Sequence, residues 1–265
     1  MFSLKFLKTS EIKNNVISFC KVQPQTGNKM IKQNYAASHP TFKVSTKRFN
    51  KSPFIERFDN SNTIFGIYAD RLYPLSTGGS IEKDYWNLRK NVMLYDVPEK
   101  PLEISGPDSV SFLENIFTRK VHDIKPMRAR YALACSNDGS IMMDGVLIRL
   151  SNEKFWYVHA NGDFETWLIA HKKDLNLTIK DPQSWALQIQ GPNALKVLAS
   201  ASPSLDLQKF KYFHAVFADF NGKTFLVSRT GWTGELGFEI YTNGQNEDHL
   251  FLWDYVIKNG QAYGI

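Results

Sequence analysis

Residues 226–240 read LVSRTGWTGELGFEI, a strand-like run (Phe225–Ser228) that breaks into three glycines within seven residues: Gly231, Gly234 and Gly237. Glycine at that density marks backbone bent where side chains would collide, or backbone that another group approaches closely. Trp232 and Phe238 are interleaved with the glycines, as are Glu235 and Glu239. Aromatic faces that stack and a carboxylate that accepts amino protons suit a flat, donor-rich heterocycle. The same composition also describes a bulged hairpin, and both readings stand at this point.

Working outward, Val216–Phe220 and Lys223–Ser228 flank Asn221–Gly222, a two-residue turn whose positions both need positive φ, so a hairpin is expected. Leu187–Gln190 reads as a strand that ends in Gly191–Pro192 and passes into a helix at Asn193–Leu195. The same succession occurs 85 residues earlier: Leu102–Ser105, Gly106–Pro107, then a helix with Val110, Leu113 and Phe117 on one face. Proline is expected in the first helical turn, where its missing N–H costs nothing. Between the two corners lies an antiparallel meander, residues 130–136, 140–150 and 154–159, with Asn137–Asp138–Gly139 as its first turn. Asp163 caps a short helix carrying Phe164, Trp167 and Leu168 inward. Upstream, Ser80 caps a helix with Glu82 and Asp84 in its first turn and Ile81, Tyr85, Leu88 and Val92 at helical spacing. Hairpins and helices interspersed, without regular βαβ crossovers, give an α+β fold.

Composition narrows the functional classes. The chain has 265 residues, 43% of them hydrophobic, enough for a substantial core. No run of 18 apolar residues occurs, so no membrane-spanning helix is expected. Residues 1–52 hold nine Lys and one Arg against Glu11 alone, a net of +9, while the remaining 22 basic and 25 acidic residues leave the body at −3. A nucleic-acid reader would carry its positive patch on the body. Residues 1–42 are basic, without helical or strand period, and read as a mobile extension. They are acid-poor like a mitochondrial transit peptide but lysine-rich where such peptides use arginine, and translation from Met30 is an alternative. Cys20 and Cys135 fit a reducing compartment, so a cytoplasmic location is expected, or the mitochondrial matrix if the arm is a transit peptide. The histidines stand apart, neither cysteine lies at metal-ligand spacing, and no metal site is assigned. GxSxG, GxGxxG, Walker A and HExxH sequences are all absent.

The run 226–240 resembles, almost position by position, the signature of the glycine-cleavage T-protein (aminomethyltransferase) family, with Trp232 where that family has Tyr. Tyr131–Cys135 with Asp138–Val146 resembles its central meander and acidic loop, and Ile189–Pro192 its second QGP corner. The resemblance covers residues 45–265. It implies the T-protein folate-binding fold, of which this length supplies the first two of three cloverleaf domains. It also implies tetrahydrofolate as cofactor, with Glu239 gripping the pterin donors, and Trp232 and Tyr131 stacking along the folate. Asp144 is then the catalytic acid near the nitrogens that carry the one-carbon unit. No side-chain nucleophile is needed, because N5 of tetrahydrofolate attacks the carbon and the protein aligns and stabilises.

Three departures follow. The T-protein has two adjacent acids where this chain has Met143–Asp144. It has an Asn at the position of Ala160, beside which Asn161 is assigned to the cofactor. Both departures resemble the folate-dependent demethylases such as dimethylsulfoniopropionate demethylase, as do Lys51–Phe54 and Ile81–Tyr85. The family also continues past the position of Ile265 into a further helix and a β-rich domain, so a fragment and a natural short form both remain open. Residues 43–102 with 185–265 are expected to form one domain and 103–184 an inserted second. The expected activity is transfer of a methyl group from a small sulfonium or methylated amine to tetrahydrofolate. The alternatives are the aminomethyltransferase of glycine cleavage, partnered by a lipoylated carrier protein, and a non-catalytic folate-binding protein.

Overall fold

The computed structural model describes residues 49–265 apart from Asn161 and residues 244–245. The N-terminal extension (residues 1–42), the first residues of the expected first domain, and the assigned cofactor ligand Asn161 lie outside the described residues. In chain order the strands are β1 Asn50–Lys51, β2 Ile64–Tyr68, β3 Arg71–Ser76, β4 Met93–Val97, β5 Pro101–Ser105, β6 Arg128–Cys135, β7 Ile141–Ser151, β8 Lys154–His159, β9 Thr178–Lys180, β10 Ala186–Gln190, β11 Ala215–Phe220, β12 Lys223–Ser228 and β13 Gly237–Tyr241. The helices are α1 Ile81–Lys90, α2 Ser109–Ile116, α3 Phe164–Lys172, α4 Ala194–Ala201 and α5 Asn246–Gly260. No helix among the described residues is long and apolar enough to cross a membrane.

Two five-stranded antiparallel sheets dominate, ordered β11-β12-β13-β10-β4 and β6-β7-β8-β5-β9, beside a three-stranded sheet β1-β3-β2. The α+β class expected from the hairpin and corner signals is the one found. Helices α4 and α5 cover the first large sheet through Val197, Leu198, Leu252 and Val256, packed on Leu187, Ile189, Phe238 and Ile240. Helices α2 and α3 cover the second through Phe112, Leu113, Phe164 and Leu168, packed on Leu102, Ile104, Leu147 and Phe155. A third apolar cluster, including Val97, Ala129, Ile148, Leu226 and Tyr241, draws from both sheets. The β11–β12 turn has Asn221 and Gly222 at φ +55° and +85°, as its sequence requires.

The two Gly–Pro corners have the same geometry. Ser109 N donates to Gly106 O and Ala194 N to Gly191 O, both at 3.0 Å. Asp108 (φ −89°, ψ 5°) and Asn193 (φ −93°, ψ 2°) occupy the third position of a type I turn. The prolines therefore sit in the turn, two residues ahead of each helix, and not in the first helical turn as expected. Proline's fixed φ suits the second turn position as well as it suits a helix start.

Sequence pattern and structure part in the N-terminal portion. Helix α1 forms where Ser80 predicts it, with Lys83 N donating to Ser80 Oγ at 3.4 Å. No residue of the helix is buried: Ile81 and Tyr85 are exposed and Leu88 is half-buried, while Val92, the last position of the apolar spacing, lies just past the helix and is buried with Leu187 and Ile189. The β2–β3 hairpin turns on Ala69 and Asp70, both at positive φ. A turn carrying Ala where Asn or Gly is usual gives no readable signal. On this hairpin the Arg71 guanidinium is buried, 3.6 Å over the Trp185 ring, and burial lowers its pKa to about 10. Burial also pushes the Asp96 carboxyl on β4 up to about 6, against opposing effects of Ser52 and Arg71.

Two outcomes test this arrangement. Gly191 has φ +130°, and an added Cβ would lie 2.6 Å from Asn91 O and 2.9 Å from Leu88 O. Gly191→Ala should cost roughly 2–4 kcal/mol in urea unfolding, whereas Gly139→Ala, at positive φ but with nothing within 4 Å, should cost less. The second outcome concerns pH. The folded-state value of Asp96 lies above its ordinary 3.8, so between about pH 4 and 6 the folded chain keeps a proton that the unfolded chain has released. Its contribution is therefore full below about pH 4 and is lost as pH rises through 6, by up to about 3 kcal/mol. The stability difference between Asp96→Asn and the parent should shift toward the variant from pH 5 to 7.5; a difference independent of pH would refute the assignment.

Candidate functional site

The centre of the β11–β4 sheet carries an unusual polar row. Register pairs Ser228 with Glu239, Glu239 with Gln188, and Gln188 with Tyr95, so the four residues lie side by side on one face. The Glu239 carboxylate is 2% exposed. Its Oε1 accepts from Gln188 Nε2 at 2.5 Å; its Oε2 accepts from Thr230 Oγ1, from Tyr241 Oη at 2.9 Å and from Ser228 Oγ at 3.4 Å. A carboxylate has about four acceptor positions. Three donors meet Oε2, while Oε1 meets one and keeps a free lone pair. Burial, then the neighbouring Glu239 charge, hold the Tyr241 phenol well above its ordinary pKa. A second acid, Glu99, lies near enough to feel Glu239; burial chiefly raises its pKa, and a hydrogen bond from Tyr68 opposes that rise.

The glycine-rich run is shaped by one side chain. The buried Gln190 amide accepts from Thr233 Oγ1 at 2.8 Å, and its Nε2 donates to Thr230 O at 3.4 Å. A Cβ on Gly231 would lie 2.4 Å from that amide, and one on Gly237 2.1 Å. Glycine at these two positions is thus explained by close packing on Gln190 within the protein. Arg89 Nη1 holds the loop's Glu235 at 2.5 Å.

On the other large sheet, Tyr131 of β6 donates from Oη to Asp144 Oδ2 at 2.5 Å. That bond is the chief cause raising the tyrosine's pKa. The ring of Tyr131 meets that of Trp232 edge to face, centroids 5.8 Å apart. Tyr131 and Trp232 remain 37% and 57% exposed, so their apolar surface is open to a ligand. Structure therefore joins Tyr131, Asp144 and Trp232 into one corner from three separate sequence motifs, and sets Glu239 in the adjoining sheet. Met143 faces the opposite way, buried in the apolar cluster with Phe164 and Leu168, because successive residues of β7 alternate faces.

Sequence reading missed the residues that hold Glu239: Gln188, Ser228, Thr230 and Tyr241. A signal existed, since Gln188 lies between Leu187 and Ile189 within a strand that is buried along its whole length. Strand register was needed to align them.

Residues 62–265 match the family described as "GCVT N-terminal domain". The aminomethyltransferases of Bacillus velezensis and Bacillus subtilis are 35% and 32% identical over 192 residues, 70% of this chain and 52% of each relative. The trimethylamine-oxide aldolase of Ruegeria pomeroyi is 29% identical over 247 residues, 88% of this chain and 31% of that protein. The solved structure of the glycine cleavage system aminomethyltransferase T from Bartonella henselae superposes with a TM-score of 0.69 at 23% identity, covering 79% of this chain and 57% of that one. The chain spans about half the length of the aminomethyltransferases it matches. It has the T-protein fold, and it belongs to the GCVT N-terminal domain family.

Proposed function

We propose that this chain forms the folate-binding part of a one-carbon transferase that moves a methyl group from a small sulfonium or methylated amine to tetrahydrofolate. The observation that carries the reading is the open Tyr131–Trp232–Asp144 corner beside a buried, pre-organised Glu239. Its donor set fits a reduced pterin, because Glu239 Oε1 keeps an acceptor position and the two aromatic faces suit a flat ring. Tetrahydrofolate, when bound, supplies the nitrogen that accepts the carbon.

The chain's residues have separate tasks in this reading. Glu239 orients the pterin edge through a carboxylate whose charge is spread over fixed donors, so no reorganisation is needed on binding. Trp232 and Tyr131 align the ligand's plane. Asp144, tied to Tyr131 Oη, places a negative charge where positive charge gathers on an attacking nitrogen. We read residues 43–102 with 185–265 as one domain, with 103–184 as an inserted second.

Donor class rests on two supports. A relative named for trimethylamine oxide aligns over 88% of this chain, more than the aminomethyltransferases do. A methylated onium also leaves as a neutral group that needs no proton, which suits a loop with Asp144 as its acid. Aminomethyl transfer with a lipoylated carrier protein is the second reading, favoured by the 35% identity to an aminomethyltransferase.

Glu239→Gln keeps the shape but removes the charge, and should weaken tetrahydrofolate binding by roughly 1.5–3 kcal/mol. Calorimetry on the folded variant checks it; unchanged affinity would reject the role. Asp144→Asn should lower kcat while changing folate affinity only a few-fold. Mass spectrometry of the folate product separates the donor classes. 5-Methyltetrahydrofolate from onium or methylamine donors supports the proposal, and 5,10-methylene-tetrahydrofolate formed only with a lipoylated carrier returns the protein to aminomethyl transfer.

A further inference from the structure

The β2–β3 hairpin gathers tyrosines on one face. Register pairs Tyr68 with Arg71 and Gly66 with Tyr73, so Tyr68, Arg71 and Tyr73 point the same way. The rings of Tyr68 and Tyr73 stand 6.3 Å apart, tilted at 47°. Tyr73 also lies close enough to Tyr95, Asp96 and Glu99 for each to act on its phenol. Tyr95 is the end of the polar row on the large sheet, beside the Gln188 that donates to Glu239. The three tyrosines therefore continue the row in which Glu239 sits. All three, and Glu99 with them, are half-buried and keep surface that a small molecule can reach.

The charge around these rings is unbalanced. Three carboxyls gather here: Glu99 feels Glu239, and both Asp96 and Glu99 feel Arg71. Arg71 lies beneath the surface, 3% exposed and stacked 3.6 Å over the Trp185 ring. Lys100, the next residue after Glu99, is tied to Asp181. Glu99 itself is held in place, accepting from the Tyr68 hydroxyl and from its own backbone N–H. A fixed carboxylate among half-buried phenol rings attracts a cation in two ways. Its charge acts at reduced dielectric, and each ring offers a negative face to a cation within about 6 Å.

Resting on the one-carbon transfer reading above, we infer that Tyr68, Tyr73, Tyr95 and Glu99 form the subsite that holds the onium head of the donor. The ring faces meet its methyl groups, and Glu99 supplies the opposing charge. A fully methylated sulfonium or ammonium carries no N–H or O–H, so its recognition rests on faces and charge, which is what this surface offers. Because the tyrosines adjoin Glu239 and leave its carboxylate to another ligand, the cation and the folate have neighbouring places and bind together.

Calorimetry on the full chain tests this with trimethylsulfonium, tetramethylammonium, tert-butanol as an uncharged probe of similar size, and tetrahydrofolate. Both cations should bind at least about tenfold more tightly than tert-butanol, as expected of a partly desolvated cation on aromatic faces. E99Q should weaken the cations roughly tenfold, by loss of the opposing charge, and leave tert-butanol unaffected. Y73L should weaken them roughly three- to tenfold, and Y73F should restore parental affinity, because the ring face and not the hydroxyl meets the cation. The pair at Tyr73 decides the matter if E99Q does not fold. Equal affinity for cations and tert-butanol, affinity unchanged in E99Q or in Y73L, or Y73F as weak as Y73L would each overturn the subsite. Displacement of the cations by tetrahydrofolate would also overturn it, placing them in the pterin site instead. Folate binding without cation binding would overturn the subsite and leave the folate reading standing. Cation binding without folate binding would keep the subsite and overturn the folate reading.

Discussion

The buried Gln190 amide is the constraint on which the site depends. A primary amide taken out of water must find partners or cost several kcal/mol, and here it finds them in the loop that follows β12. Thr230 O and Thr233 Oγ1 close around it, and Gly191 N donates to Leu236 O at 2.8 Å. The loop is wrapped so tightly that two of its residues have no room for a Cβ. That wrapping fixes where β13 begins. Because strand side chains alternate, a shift of one residue would turn Glu239 to the opposite face of the sheet. Gln190 therefore sets the register that puts Glu239 between Gln188 and Ser228, and the same loop carries Trp232 out toward Tyr131.

The second half of the site comes from the other sheet, and the two are joined by backbone. Ala129 N bonds Phe213 O, Ala215 N bonds Met127 O at 3.1 Å, and Trp156 meets Tyr241 edge to face at 5.8 Å. Apolar contacts from both sheets close over this seam. The Tyr131–Trp232 contact is thus held by structure on each side, while its outward surface stays open. Rigid flanks with an exposed aromatic centre suit a site that must align two reactants.

Much of this was legible from residues alone, for reasons that differ by element. Asn221–Gly222 and the two Gly–Pro corners are local: their turn chemistry is written in adjacent residues. Tyr131, Asp144 and Trp232 were readable as members of motifs, but their convergence is a tertiary fact that spacing cannot encode. The cradle of Glu239 needed cross-strand register. The β2–β3 hairpin was illegible because its turn uses Ala69, which carries no turn signature. Helix α1 misled in the other direction, since Ile81 and Tyr85 point outward and Val92, past the helix end, is the position of that spacing that enters the core.

The Met143–Asp144 pair shows why counting acids in the loop is too simple. Strand alternation gives the two positions different environments: Asp144 faces Tyr131, and Met143 enters the cluster around Phe164 and Leu168. In this chain a carboxylate at 143 would set a charge against Phe164 and Leu168, which offer it no donor. Met143 also has a complement. Gly162, at φ +139°, would place any Cβ 2.9 Å from the Met143 Cε, so the methionine fills the space that the glycine leaves. The side chain at 143 thus packs against the turn ahead of α3. The charge of the site is consequently set by Asp144 together with its tyrosine partner, and packing has removed position 143 from the chemistry.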